Sequence, residues 1–122
     1  MPEELPVSQA GVRGLVPLTA AQSFPPPDRL WSDEDWVLIR RGHKSADMDD
    51  RWHAVVEGQR LSLYRSWTGH GIYAAEFSPV AGGWRISSAL VEGDRDIYRR
   101  GSDAFETALL EELINRILLS IN

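Results

Sequence analysis

The most regular pattern in the chain is its last one. Phe105, Leu109, Leu110, Leu113, Ile114, Ile117, Leu118 and Ile121 recur at intervals of three and four, which places them on one stripe of a helix. Asp103-Ala104-Phe105-Glu106 opens that helix as a carboxylate version of a capping box. Upstream the period falls to two. Trp52-His53-Ala54-Val55-Val56 and Leu61-Ser62-Leu63-Tyr64-Arg65 flank Glu57-Gly58-Gln59-Arg60, and glycine at the first central position predicts a type II′ hairpin. That turn sets Glu57 against Arg60, Val56 against Leu61, Ala54 against Leu63 and Trp52 against Arg65. One face then carries Trp52, Ala54, Val56, Leu61, Leu63 and, at its end, Arg65. The other carries His53, Val55, Glu57, Arg60, Ser62 and Tyr64, the more polar set, which is expected to face solvent. Two further strands are predicted over 72–78 and 84–91, joined by Pro79-Val80-Ala81-Gly82-Gly83, with Tyr73, Ala75 and Phe77 on one side.

Ahead of the strands, Ser32 is a good N-cap. Asp33, Glu34 and Asp35 suit the positive end of a helix, and Gly42 after Arg40-Arg41 suits its end, predicting a helix over 33–41. Trp31 and Trp36 have the spacing of a hydrophobic staple. Residues 1–28 hold six of the seven prolines and show neither period. They predict an irregular tail ending in the stiff Pro25-Pro26-Pro27, either docked or loose. The expected fold is α+β: a domain at 29–122 with a four-stranded antiparallel sheet, a short N-terminal helix, and a C-terminal amphipathic helix on one sheet face.

Composition narrows the function. A length of 122 residues fits one domain, and 43% hydrophobic residues suffice for a core. The net charge of -5 argues against a nucleic-acid or anionic-membrane binder. The absence of cysteine excludes disulfides, thiolate metal sites and cysteine nucleophiles. No signal-like start or long apolar run is present, so a cytoplasmic location is expected.

The segment with chemistry to explain is Arg65-Ser66-Trp67-Thr68-Gly69-His70-Gly71, followed by Ile72-Tyr73. Strand alternation puts Arg65 on the apolar face, where its guanidinium needs a carboxylate, carbonyls or a ligand anion. The glycines leave amides exposed, and Ser66, Thr68 and His70 add short polar groups. Together they suit a phosphate held by Arg65 and backbone N–H groups. The alternative is structural: Arg65 pairs with Asp35, Asp49 or Asp50, Trp67 fills the core, and the glycines serve a tight connection. From Trp31 onward the chain resembles an uncharacterised family of small bacterial domains marked by Arg-Ser-Trp-Thr-Gly followed by Ile-Tyr. Trp36, Asp50-Arg51-Trp52, Asp103 and Leu109-Leu110 extend the resemblance. It implies a shared fold and an association with ADP-ribose-processing proteins, and it transfers no catalytic residue.

Other templates fail. Gly69-His70-Gly71-Ile72-Tyr73-Ala74 matches a dinucleotide fingerprint in letters, but a strand follows where a helix is required. Asp47, Asp49 and Asp50 lack the glycine and glutamate of a calcium loop and read as a solvated connector. His43, His53 and His70 lack zinc spacing, so no metal or other cofactor is expected. Ser66 lies in no nucleophile elbow. Glu92, Asp94 and Asp96, interleaved with Arg95, read as a solvated loop. The expectation is a binding module for a phosphorylated, ADP-ribose-like ligand through Arg65, Ser66, Trp67, Thr68, Gly69, His70 and Tyr73. The alternative is a protein-interaction domain of inhibitor or immunity type. An enzyme ranks behind both.

Overall fold

A computed structural model describes residues 14–46 and 50–120. Gly58 takes a φ of 61° and Gln59 is not left-handed, as a type II′ turn requires. The turn joins β2 (Trp52–Glu57) to β3 (Arg60–Arg65) in the expected register, from Glu57 opposite Arg60 to Trp52 opposite Arg65. β4 (Gly71–Val80) and β5 (Gly83–Glu92) continue the antiparallel order.

The sheet has five strands and not four. β1 (Ala21–Phe24) pairs with the last four residues of β5, giving the order β1-β5-β4-β3-β2. Its four residues lie in the proline-rich stretch and are too few to show a period of two. What holds them is Glu92, fully buried at the end of β5 and therefore no part of a solvated loop. Its carboxylate accepts from the amides of Thr19 (2.9 Å), Ala20 (2.9 Å) and Asp94 (3.1 Å) and from the Thr19 hydroxyl (3.1 Å). Burial alone would raise its pKa, but these donors outweigh that and hold it below the ordinary carboxylate value.

Two bulges reconcile the sequence pattern with one apolar face. Leu63 pairs with Tyr73 and Tyr64 with Gly71, so Ile72 is the extra residue on β4. Glu76 pairs with Ser88 and Phe77 with Ile86, so Ser87 is extra on β5, and Ile86, Ala89 and Val91 all turn inward. The face expected to be solvated is partly covered, with Val55 and Tyr64 buried. Near Tyr64 the cover is the N-terminal segment. Val16 exchanges hydrogen bonds with Gly69 (2.8 Å) and Gly71 (2.7 Å), and Pro17 and Leu18 bound a hollow of about 220 Å³ with Ser62, Tyr64 and Ala74.

α1 (Asp33–Ile39) has Ser32 as its expected N-cap and adds a capping box, Asp35 N–H donating to Ser32 Oγ and Ser32 N–H to Asp35 Oδ2, but stops at Ile39, short of 41. Trp31 and Trp36 both pack on Phe77, at 5.4 and 5.0 Å between ring centroids.

α2 (Asp103–Leu113) is capped by Ser102, one residue before the expected position, and runs on into a π-helical turn (Ile114–Leu118). Glu106 takes no part in a capping box. It is fully buried and accepts from the hydroxyls of Tyr73 and Tyr98 and from the amide of Gly101 (2.6 Å). Leu110, Leu113, Ile114 and Leu118 join the sheet core, while Phe105, expected on that stripe, is largely exposed and lies over Gly101. Ile121 lies outside the described residues.

Leu113 is 1% exposed, so Leu113→Ala is expected to cost about 2–5 kcal/mol in denaturant melts. Glu92→Gln keeps the shape but removes the charge and sets an amide NH2 against donors where one carboxylate oxygen accepted, with an expected loss of about 1.5–3 kcal/mol or more at neutral pH. A depressed native pKa gives stability that is complete above the ordinary value of 4.5 and lost as pH falls through the native one. The acid limb of the stability curve should therefore be flatter in the variant, measurable as melts between pH 2 and 7.

Candidate functional site

The register of β2 and β3 places Arg65 on the apolar face beside Trp52. Its guanidinium carbon lies 4.7 Å from the centroid of the Trp52 ring, a cation–π contact that fixes the long side chain at its base. No carboxylate lies within 4 Å of it among the described residues. Asp35 is committed to its capping box and Asp50 to His43, while Asp49 lies outside the described residues.

The connector before β2 is built around Asp50, which is not a merely solvated residue. Its carboxylate meets His43 Nε2 at 2.6 Å and accepts from the Ala46 amide at 3.1 Å. Its carbonyl accepts from the hydroxyls of Ser45 (2.6 Å) and Ser66 (2.9 Å). Burial would raise the Asp50 pKa, but the hydrogen bonds from His43 and the Ala46 and Trp52 amides, with the charge of His43, hold it below the ordinary carboxylate range. The backbone of His43 pairs with Ala54, and the Ser45 amide donates to His53 Nδ1 at 2.9 Å. Burial pushes the His53 pKa down, and the neighbouring His43 and Lys44 act in the same direction against Asp50.

The turn after β3 uses its amides internally. Ser66 N–H donates to Arg51 O, Gly69 N–H to Arg65 O, His70 N–H to Thr68 Oγ1 and Gly71 N–H to Val16 O. These four amides are thus not the open phosphate cradle expected of the glycine-bracketed loop. Gly69 has a φ of 77°, and a Cβ there would lie 2.0 Å from Gly14 O, so its glycine serves close passage of the N-terminal segment. His70 is half-buried, with Nδ1 lacking a hydrogen-bond partner among the described residues. Trp67 does not fill the core: it is 71% exposed. Tyr73 lies in the core, its ring 6.2 Å from that of Trp52, and burial together with Glu106 and Tyr98 pushes its hydroxyl far above the ordinary tyrosine range.

Two cavities open around Arg65. The larger, about 630 Å³, has a polar wall of His43, Asp50, Arg51, Arg65, Arg116 and Ser120. Trp52, Leu109, Leu113 and Ile117 form its apolar wall. The smaller, about 370 Å³, is lined by Arg51, Arg65, Trp67, Thr68 and Ile97. Of the expected site residues, Arg65, Trp67 and Thr68 therefore line a cavity. Ser66, Gly69, His70 and Tyr73 line neither and hold the surrounding backbone or core. Arg51 and Arg116 were missed. Arg51 adjoins Trp52 in sequence, which was a usable signal, and Arg116, within the π-helical turn, lies three positions after Leu113 and seven after Leu109 on the helix edge that lines the cavity. Like Arg65, neither has a carboxylate within 4 Å among the described residues. Three arginines thus line a cavity with one carboxylate, Asp50, that is already engaged by His43, a local excess of positive charge on a chain of net charge -5. Among the described residues there is no cluster of metal-ligating side chains.

The chain is therefore a small α+β domain with an arginine-lined cavity at one end of its β2–β3 hairpin. No protein-family model matches it, and comparison with curated proteins and with solved structures gives no match.

Gly69→Ala combines a left-handed φ with a clash against Gly14 O, and is expected to cost about 1–3 kcal/mol. The loss should be local first. Hydrogen exchange at the Val16 and Gly71 amides should accelerate more than at the central strands.

Proposed function

We propose that this domain binds a small phosphate-bearing molecule, of the class that includes ADP-ribose, in the larger cavity. The observation that carries this reading is the convergence of Arg51, Arg65 and Arg116 on one hollow with no carboxylate within 4 Å of any of them. Guanidinium groups offer planar, paired donors that suit phosphate oxygens, and Arg65, steadied on Trp52, loses little further freedom on binding. A volume of about 630 Å³ is in the range of small-molecule sites. The leucine and isoleucine wall limits water on the other side and strengthens charge interactions at the arginines.

The exposure of Trp67 beside Arg51 and Arg65 supports a second reading, a protein-interaction domain, because tryptophan and arginine dominate interface hot spots.

Calorimetric titration with ADP-ribose, pyrophosphate and phosphate separates the two. The first reading expects at least one of these to bind with Kd below 1 mM, a free energy of about -4 kcal/mol or better. Arg65→Lys should weaken binding about tenfold or more while leaving the melting temperature nearly unchanged, because lysine keeps the charge but loses the planar fork. No binding at millimolar ligand overturns the first reading and favours the second.

A further inference from the structure

The two cavities are separate hollows with a common wall. Arg51 and Arg65 line both, while Trp67, Thr68 and Ile97 line only the smaller one. A phosphate held between the two shared arginines therefore has an apolar-sided cavity on one flank and an indole on the other. Trp67 is the largest exposed apolar side chain among the described residues, at 71% exposure, in a chain whose Trp31, Trp36 and Trp52 are buried. Its ring is not part of the buried hydrophobic cluster. Its backbone, in contrast, is held firmly between neighbours: Ser66 is bonded to both Asp50 and Arg51, and the Gly69 amide closes onto Arg65 O. An exposed indole on a braced turn, beside two guanidinium groups, presents a flat surface for another flat group at little entropic cost.

We infer that the two cavities form one bipartite site, with Arg51 and Arg65 holding a diphosphate at the common wall and Trp67 stacking a planar heteroaromatic ring in the smaller cavity. The ligand class is accordingly a nucleoside diphosphate or a derivative of one. This rests on the phosphate-binding reading above and adds to it the part of the ligand that is not phosphate. Smaller phosphates fill only the common wall. The larger cavity takes whatever extends from the far end of the diphosphate, with Arg116 and Ser120 as its polar contacts and Leu109 and Ile117 as its apolar ones. The Thr68 hydroxyl accepts from the His70 amide at 3.3 Å, which leaves its proton available to a ring or ribose acceptor in the smaller cavity. The net charge of -5 favours a mononucleotide over a nucleic-acid strand, whose successive phosphates would meet an acidic surface beyond this patch.

The test is calorimetry of the full chain with ADP and with pyrophosphate, on the wild type, Trp67→Ala and Trp67→Phe, with melting curves in parallel. Base stacking on an aromatic side chain is expected to make ADP bind about tenfold tighter than pyrophosphate. Trp67→Ala should remove that difference and leave pyrophosphate affinity unchanged, and Trp67→Phe should retain most of it. ADP should also quench wild-type tryptophan fluorescence, and the quench should vanish in Trp67→Phe. Equal affinities for ADP and pyrophosphate in the wild type, or equal weakening of both by Trp67→Ala, overturns the bipartite site while leaving phosphate binding in place. If neither compound binds, phosphate recognition itself fails and the bipartite site with it.

Discussion

The register set by the two-residue turn at Gly58 decides where the chemistry of this domain can be. Because the side-chain period of a strand is two, a slip of one residue would move every side chain of β2 and β3 to the other face. In the observed register Trp52 faces Arg65, so the guanidinium emerges at the end of an apolar face and lies over an indole. Arg51 precedes β2 and Ser66 follows β3, and the bond from Ser66 N–H to Arg51 O draws the two strand ends together. A single local constraint thus puts two arginines, a tryptophan ring and the base of a turn at one corner of the sheet.

Buried carboxylates then attach the less regular parts of the chain to that sheet. Glu92 gathers Thr19, Ala20 and Asp94, and Glu106 gathers Tyr73, Tyr98 and Gly101. Neither has a cationic partner within 4 Å among the described residues, so both rely on N–H and O–H donors. Such sites are demanding, since each lost donor leaves a charged acceptor short of a partner in a dry place. They are well suited to fixing segments with little apolar area of their own. β1 has one buried residue, Phe24, and its position depends on the Glu92 cradle as much as on packing. By contrast α1, with Trp36 and Ile39 buried, is held chiefly by aromatic contacts, Trp36 stacking on Trp84 at 4.5 Å.

What was legible in the sequence follows the range of the interactions involved. The hairpin register, the Ser32 N-cap of α1 and the turn between β4 and β5 are set by residues within a few positions of each other, and all were readable. β1 was not, because its partners in β5 and at Glu92 are about 70 positions away and only four of its residues pair. The bulges at Ile72 and Ser87 blurred the alternation in β4 and β5 without changing its sense. The glycine-bracketed turn misled in a specific way: glycine permits open amides, but it also permits a second strand of backbone to pass close by, and residues 14–16 use it for that. Arg65 was found because alternation forced it inward. Arg116 was not: it shares the helical spacing of Leu109, Leu113 and Ser120, but nothing local in the sequence shows that this edge of the helix borders a cavity at the ends of β2 and β3.

The corner around Arg65 is also where separately encoded parts meet: the connector with His43 and Asp50, the ends of β2 and β3, and the close of the C-terminal helix. No one of these could hold a polyanion alone. A single guanidinium at a surface contributes little, and its contribution is screened by salt. Three of them around one hollow, with an apolar wall opposite and the nearby carboxylate tied to His43, concentrate the field where a phosphate would sit. The His43–Asp50 contact matters here for what it prevents: an Asp50 free to swing to Arg51 or Arg65 would neutralise the patch internally. Holding that carboxylate by its imidazole partner, the Ala46 amide and the two serines on its carbonyl keeps the arginines available, which is the condition any anion-binding role for this corner requires.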